Sequence, residues 1–165
     1  MTTLAQTPRG PRVLVVDDEG GFRRALLNLL EEEGIPIVGE AADGSDGVAL
    51  ARDLAPDVIL MDLRMPSMGG IEATRLIKEF LPLTQVIILT VYDDAALSQG
   101  AEDVGAYAYL VKGCSGRLIR DVVLHAGRFK AGLEREGPPP QSPGSFAMYS
   151  LDHPGPSDRR GEAPF

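Results

Sequence analysis

Apolar residues in this chain fall into two alternating patterns. Short aliphatic runs at 12–16, 58–61 and 85–89 read as strands buried on both faces. Between them, apolar positions recur at helical spacing: Phe22, Leu26, Leu29 and Leu30 before Gly34, then Ile71, Leu76, Ile77, Phe80 and Leu81 before Pro82. Residues 35–41 form a weaker strand whose early Pro36 suits a sheet edge. A short helix follows over 45–54, and a polar, weakly amphipathic helix over 94–104 is the least marked element. Residues 107–111 make the last strand, and Leu118, Val122, Phe129 and Leu133 line the last helix.

Five strands alternating with five helices predict an α/β fold, a doubly wound parallel sheet covered on both faces. The flavodoxin-like (βα)5 strand order 2-1-3-4-5 makes the first and third strands neighbours at the switch point. A Rossmann-type order is the competing topology, but no Gly-x-Gly-x-x-Gly follows the first strand. The predicted domain spans residues 12–136, preceded by a flexible N-terminus over 1–11. From 137 to 165 the composition changes, with seven prolines and four glycines in 29 residues. That pattern predicts a disordered tail in which helices and strands do not persist. Within it, Phe146-Ala147-Met148-Tyr149 is either a short docking segment or, more simply, a few apolar residues in flexible chain.

Composition adds exclusions. A net charge of -8 argues against a nucleic-acid surface, and Arg159-Arg160 is too small a patch to reverse that. The single cysteine, Cys114, rules out an internal disulfide, fits a reducing compartment and has no partner thiol for redox work. Residues 1–12 lack a signal-peptide pattern, and no apolar stretch approaches the ~20 residues of a membrane helix. The expected location is the cytoplasm, with no membrane partner.

The candidate chemistry sits at strand ends. Asp17-Asp18 follow the first strand, Asp62 the third and Lys112 the fifth, while Thr90 closes the fourth. In a parallel sheet all these ends share one edge. Charges there are costly unless they meet one another or a metal. Three clustered carboxylates need a cation, and an oxygen-only ligand set favours a hard ion, most naturally Mg²⁺. Carboxylate nucleophile, hard metal, lysine and hydroxyl are the parts of phosphoryl transfer, with an aspartyl phosphate as product. Residue types alone leave the nucleophile open among the three aspartates; Asp62 is favoured as the lone carboxylate at a central strand end, and the Asp17-Asp18 pair suits a metal better. Each residue also has an ordinary alternative. Asp17 or Asp18 could cap the first helix, Thr90 could be a plain strand end, Lys112 a solvated surface lysine and Tyr109 a core aromatic. His125 and His153 read as structural or incidental.

Four segments, Val13-Leu14-Val15-Val16-Asp17-Asp18-Glu19, Asp62-Leu63-Arg64-Met65-Pro66-Ser67-Met68-Gly69-Gly70, Ile88-Leu89-Thr90 and Tyr109-Leu110-Val111-Lys112, resemble the receiver domain of two-component response regulators. The resemblance runs from about residue 12 to 133. It implies that Asp62 accepts a phosphoryl group from a sensor histidine kinase, and that Asp18, Asp62 and the backbone carbonyl of Arg64 hold Mg²⁺, with Asp17 acting through a water. It further implies that Lys112 bridges to the phosphoryl oxygen, that Thr90 moves toward it and that Tyr109 turns inward. The fourth helix, fifth strand and fifth helix would then form the output face, for an unknown downstream protein or a homodimer. No enzymatic activity is implied beyond self-phosphorylation and autodephosphorylation.

Departures from the family pattern are informative. Gly113 follows the lysine where many receivers have proline. That ending, and Leu89-Thr90-Val91-Tyr92-Asp93-Asp94, are most similar to the NarL/FixJ type. Val91, with Arg64 and Tyr92 flanking, is expected to slow attack by water on the phosphorylated site. Regulators of that type usually carry a C-terminal helix-turn-helix, which a tail so rich in proline is not expected to supply. DNA binding by this chain alone is therefore not expected. A regulator that lost its DNA-binding domain by truncation or frameshift is the runner-up, and an aspartate-nucleophile phosphatase the third reading.

Overall fold

Strands made wholly of aliphatic side chains can be stable only between two apolar layers. The computed structural model, which describes residues 10–137 and the backbone of 147–149, provides both. In chain order the elements are β1 (Val13–Val16), α1 (Gly20–Glu32), β2 (Ile37–Ala41), α2 (Gly44–Leu54), β3 (Val58–Met61), α3 (Gly70–Phe80), β4 (Gln85–Thr90), α4 (Ala95–Asp103), β5 (Ala108–Val111), α5 (Gly116–Glu136) and β6 (Ala147–Tyr149). All strand pairs are parallel, in the order β2-β1-β3-β4-β5-β6. The predicted order 2-1-3-4-5 therefore holds, and β2, with Pro36 at its start, lies on the edge.

Alternate residues along the strands feed the two layers. Val13, Val15, Val58 and Leu60 pack with Leu26 and Leu30 of α1 and Val122, Val123 and Ala126 of α5. Leu14, Val16, Ile59 and Met61 pack on the opposite side with Ala51 of α2, Ala73 and Ile77 of α3 and Ala101 of α4. Fully burying each such aliphatic side chain stabilises the fold by roughly 1.5–3 kcal/mol. Asp43, Asp94 and Ser115 cap α2, α4 and α5, accepting from Asp46, Leu97 and Leu118 N–H. The Asp94 cap explains why the weakly patterned α4 forms.

Within the tail the sequence expectation needs correction. Residues 147–149 make a strand beside β5, although no strand was expected to persist there. Three consecutive residues free of proline and glycine are enough to pair when an existing sheet edge templates them. The rest of the predicted tail, from 138 to 146 and from 150 to 165, and the N-terminal residues 1–9, lie outside the described residues. His153 and Arg159-Arg160 lie outside them too. Among the described residues, no helix is long and apolar enough to cross a membrane.

Candidate functional site

Register brings the acidic strand ends together. Val16 of β1 stands opposite Met61 of β3, so Asp17 and Asp62 leave the sheet side by side, with Asp62 N–H donating to the Val16 carbonyl at 2.9 Å. Both are buried, at 2% and 8% exposure, while Asp18 is exposed. Carboxylate oxygens of Asp17, Asp18 and Asp62 all lie within 4.8 Å of one another. Neither Asp17 nor Asp18 caps α1. Asp17 Oδ1 instead accepts from Glu19 N–H at 2.8 Å, and Glu19 is the cap residue, whose side chain makes no capping hydrogen bond.

Lys112 reaches the same point from the far side. Its amide donates to the Thr90 carbonyl at 2.6 Å, continuing the β4–β5 ladder. Its Nζ lies 2.8 Å from Asp17 Oδ2, 3.6 Å from Glu19 Oε2 and 3.7 Å from Asp62 Oδ2, and stands 4.3 Å from the centre of the Phe22 ring. The lysine side chain is only 7% exposed, so it is no solvated surface lysine. Glu19 and Phe22 are the site residues the sequence reading missed. Phe22 was assigned to the core by its periodicity; the available signal was its place one turn beyond the acidic pair.

One buried cation serving two buried carboxylates leaves a deficit. Burial, and then the neighbouring charge of Asp17, push the Asp62 carboxyl up to about 6; Lys112 and the Leu63 N–H, 2.8 Å from Asp62 Oδ1, only partly oppose them. A second cation would relieve this. Clustered oxygen donors with no sulfur or imidazole fit a hard divalent ion such as Mg²⁺.

The flanking loops are shaped by backbone requirements. A Cβ on Gly70, the first residue of α3, would sit 2.1 Å from the Asp62 carbonyl oxygen, so only glycine lets α3 start this close to the site. Gly113 has φ +105, a conformation closed to proline. This accounts for the departure seen in the sequence.

Thr90 is fully buried, and its Oγ1 accepts from Tyr92 N–H at 3.4 Å; no hydrogen bond joins it to Asp62. Tyr109 is fully buried as well, and its hydroxyl donates to the Tyr92 carbonyl. Burial, with Asp94 and Asp93 nearby, pushes that phenol up to about 12. The Arg64 guanidinium stacks 4.6 Å from the Tyr92 ring centre, joining the loop after β3 to the loop after β4. Val91 and Tyr92 are exposed, at 61% and 41%. Val91, Phe22, Lys112 and Cys114 line an apolar groove of about 640 Å³ between α1 and the start of α5. Burial pushes the Cys114 thiol up to about 11, which makes it a poor nucleophile. The His125 ring is hydrogen-bonded to the Tyr107 hydroxyl, in keeping with a structural role.

Comparison with known proteins identifies the family. The family model for the response regulator receiver domain matches residues 13–124. The transcriptional regulatory protein PdtaR of Mycobacterium tuberculosis is 41% identical over 139 residues, which are 82% of this chain and 66% of that protein. The chain thus spans slightly less than two thirds of that relative's length. A signal receiver domain from Mycobacterium tuberculosis that carries the name NarL superposes with a TM-score of 0.70 at 32% identity, over 73% of this chain and 98% of that one. The CheX-CheY-BeF3-Mg+2 complex from Borrelia burgdorferi matches with a TM-score of 0.66 at 28% identity, over 69% of this chain and 87% of that one.

Proposed function

Starting from the fact that the chain belongs to the response regulator receiver domain family, we propose that it is a switch written at Asp62 by a sensor histidine kinase. The observation that carries this reading is Lys112 Nζ held between Asp17 and Asp62, in a cluster whose three carboxylates lie within 4.8 Å. An Asp62 carboxylate oxygen attacks the phosphorus of a phosphohistidine. The P–O bond forms as the P–N bond breaks, and the departing imidazole keeps the electron pair and takes up a proton. Asp18, Asp62 and the Arg64 carbonyl would hold Mg²⁺, with Asp17 acting through a water, and the ion would neutralise charge on the carboxylates and the transferring group.

Lys112 then exchanges its Asp17 contact for a phosphoryl oxygen, and Thr90 gives up the Tyr92 amide to do the same. Because Tyr92 also receives the Tyr109 hydroxyl and the Arg64 guanidinium, movement of Thr90 is felt along α4, β5 and α5. That face is the output surface, for a protein partner or a second copy. Val91, Arg64 and Tyr92 slow attack by water. An aspartate-nucleophile phosphatase would need a second acid two residues after Asp62, where Arg64 stands and is engaged with Tyr92.

Intact mass after exposure to acetyl phosphate and Mg²⁺ tests the reading. One phosphoryl group on the native chain and none on Asp62→Asn is the expected result. Uptake that survives the substitution would contradict it. Capture of binding partners with the Mg²⁺-beryllofluoride form, absent for Asp62→Asn, would identify the output.

A further inference from the structure

The outer edge of β5 is already occupied by the chain itself. Residues 147–149 pair parallel to it, with Ala147 opposite Ala108, Met148 opposite Tyr109 and Tyr149 opposite Leu110. Without this strand, β5 would present a row of unpaired N–H and C=O groups, a template for any extended segment. Helix α5 carries the chain back toward the end where β5 begins, and Gly137, at φ +77 with its N–H on the Leu133 carbonyl, ends the helix. A following strand then enters parallel to β5 without reversing direction.

We propose that residues 147–149 act as an internal plug on the α4-β5-α5 face, excluding a second copy of this chain from the β5 edge. A three-residue parallel strand makes only a few ladder bonds, so the plug is displaceable rather than a permanent part of the sheet. Its register places it directly beside Tyr109, on the strand that leads into Lys112. The plug is therefore one backbone away from the residues assigned to the switch. Its regulatory use rests on the proposed reading of Asp62; the pairing and the exclusion of a second copy do not.

The test uses the full-length chain without phosphodonor. Successive N–H groups of a strand point to opposite sides, so Ala147→Pro combined with Met148→Pro removes a ladder donor whichever one faces β5. Met148→Thr keeps both donors and serves as the control. Amide exchange over 108–111 should quicken about tenfold in the double-proline chain and stay unchanged in the control. Self-association measured by sedimentation should tighten by about tenfold in the double-proline chain only. Unchanged exchange overturns the proposal, because the edge is then not covered. Faster exchange with unaltered self-association overturns it as well, because the strand then excludes nothing. Phosphoryl uptake at Asp62, measured on the same samples, reports separately on the site reading; its failure leaves both plug readouts interpretable.

Discussion

Strand β3 carries an aspartate at each end, and the two have opposite fates. At the entry end, Asp57 Oδ1 accepts from Lys130 Nζ of α5 at 2.6 Å and Oδ2 from Arg12 N–H at 2.8 Å. Partial burial alone would raise its pKa, but the Lys130 bond and charge and the Arg12 amide outweigh it and hold the carboxyl below its usual value. At the exit end, Asp62 has a cation at 3.7 Å, and that cation sits closer to Asp17. Its carboxyl is pushed up to about 6 by burial and by Asp17. A carboxylate with a dedicated partner ties elements together. One that must share its partner keeps unsatisfied charge, available for a metal and a phosphoryl group.

The largest expected difference is chemical. Asp62→Asn should abolish phosphoryl uptake by intact mass, while Asp57→Asn should leave it in place. Stability should separate them next, with opposite signs. Loss of the Lys130 bond in Asp57→Asn should cost about 2 kcal/mol in urea unfolding, since hydrogen bonds to charged groups contribute about 1.5–3. Asp62→Asn should stabilise the metal-free protein by roughly 3 kcal/mol at neutral pH, because its carboxyl is raised from 3.8 to about 6 and each unit of upward shift represents ~1.4 kcal/mol. A destabilised metal-free Asp62→Asn chain would end the distinction between the two ends.

The pH dependences should also run in opposite directions. Between 3.8 and about 6 the folded Asp62 retains a proton that the unfolded chain has lost, so this group reduces stability as pH rises through that window. Above about 6 the reduction is complete, and saturating Mg²⁺ should remove it. For Asp57 the folded pKa lies below 3.8, so its stabilisation is present above that pH and is lost as pH falls through the folded value. Unfolding free energies of the native chain and each Asn variant from pH 3 to 8 would resolve both limbs. The smallest effect concerns shelter, which only Asp62 requires. Val91→Ala should hasten loss of the phosphoryl group about threefold, the rate equivalent of less than one methylene contact of ~0.8 kcal/mol. An unaltered dephosphorylation rate would refute the steric role of Val91.

Much of this was legible in the residues. Aliphatic runs and helical spacing located β1 to α5, though not β6, and the position of Pro36 indicated that β2 is an edge. The chemical character of Asp17, Asp18, Asp62, Thr90 and Lys112 followed from their places at strand ends. Asp57 drew no assignment from the sequence, because its partner Lys130 lies 73 residues away and local pattern carries no trace of such a pairing. Phe22 was hidden for a related reason: periodicity says that a side chain faces inward, not that it lies against a lysine.

What the sequence determined by itself was therefore the alternation of strands and helices, the edge of the sheet where polar groups gather and the class of chemistry they can perform. These depend on short-range periodicity and residue type, which are written locally. Tertiary structure alone decided that Lys112 favours Asp17 over Asp62, that Tyr109 is already buried against Tyr92, and that residues 147–149 lie along β5. Each of these is a choice among partners distant in the chain, settled by strand register and by which charges share a buried volume.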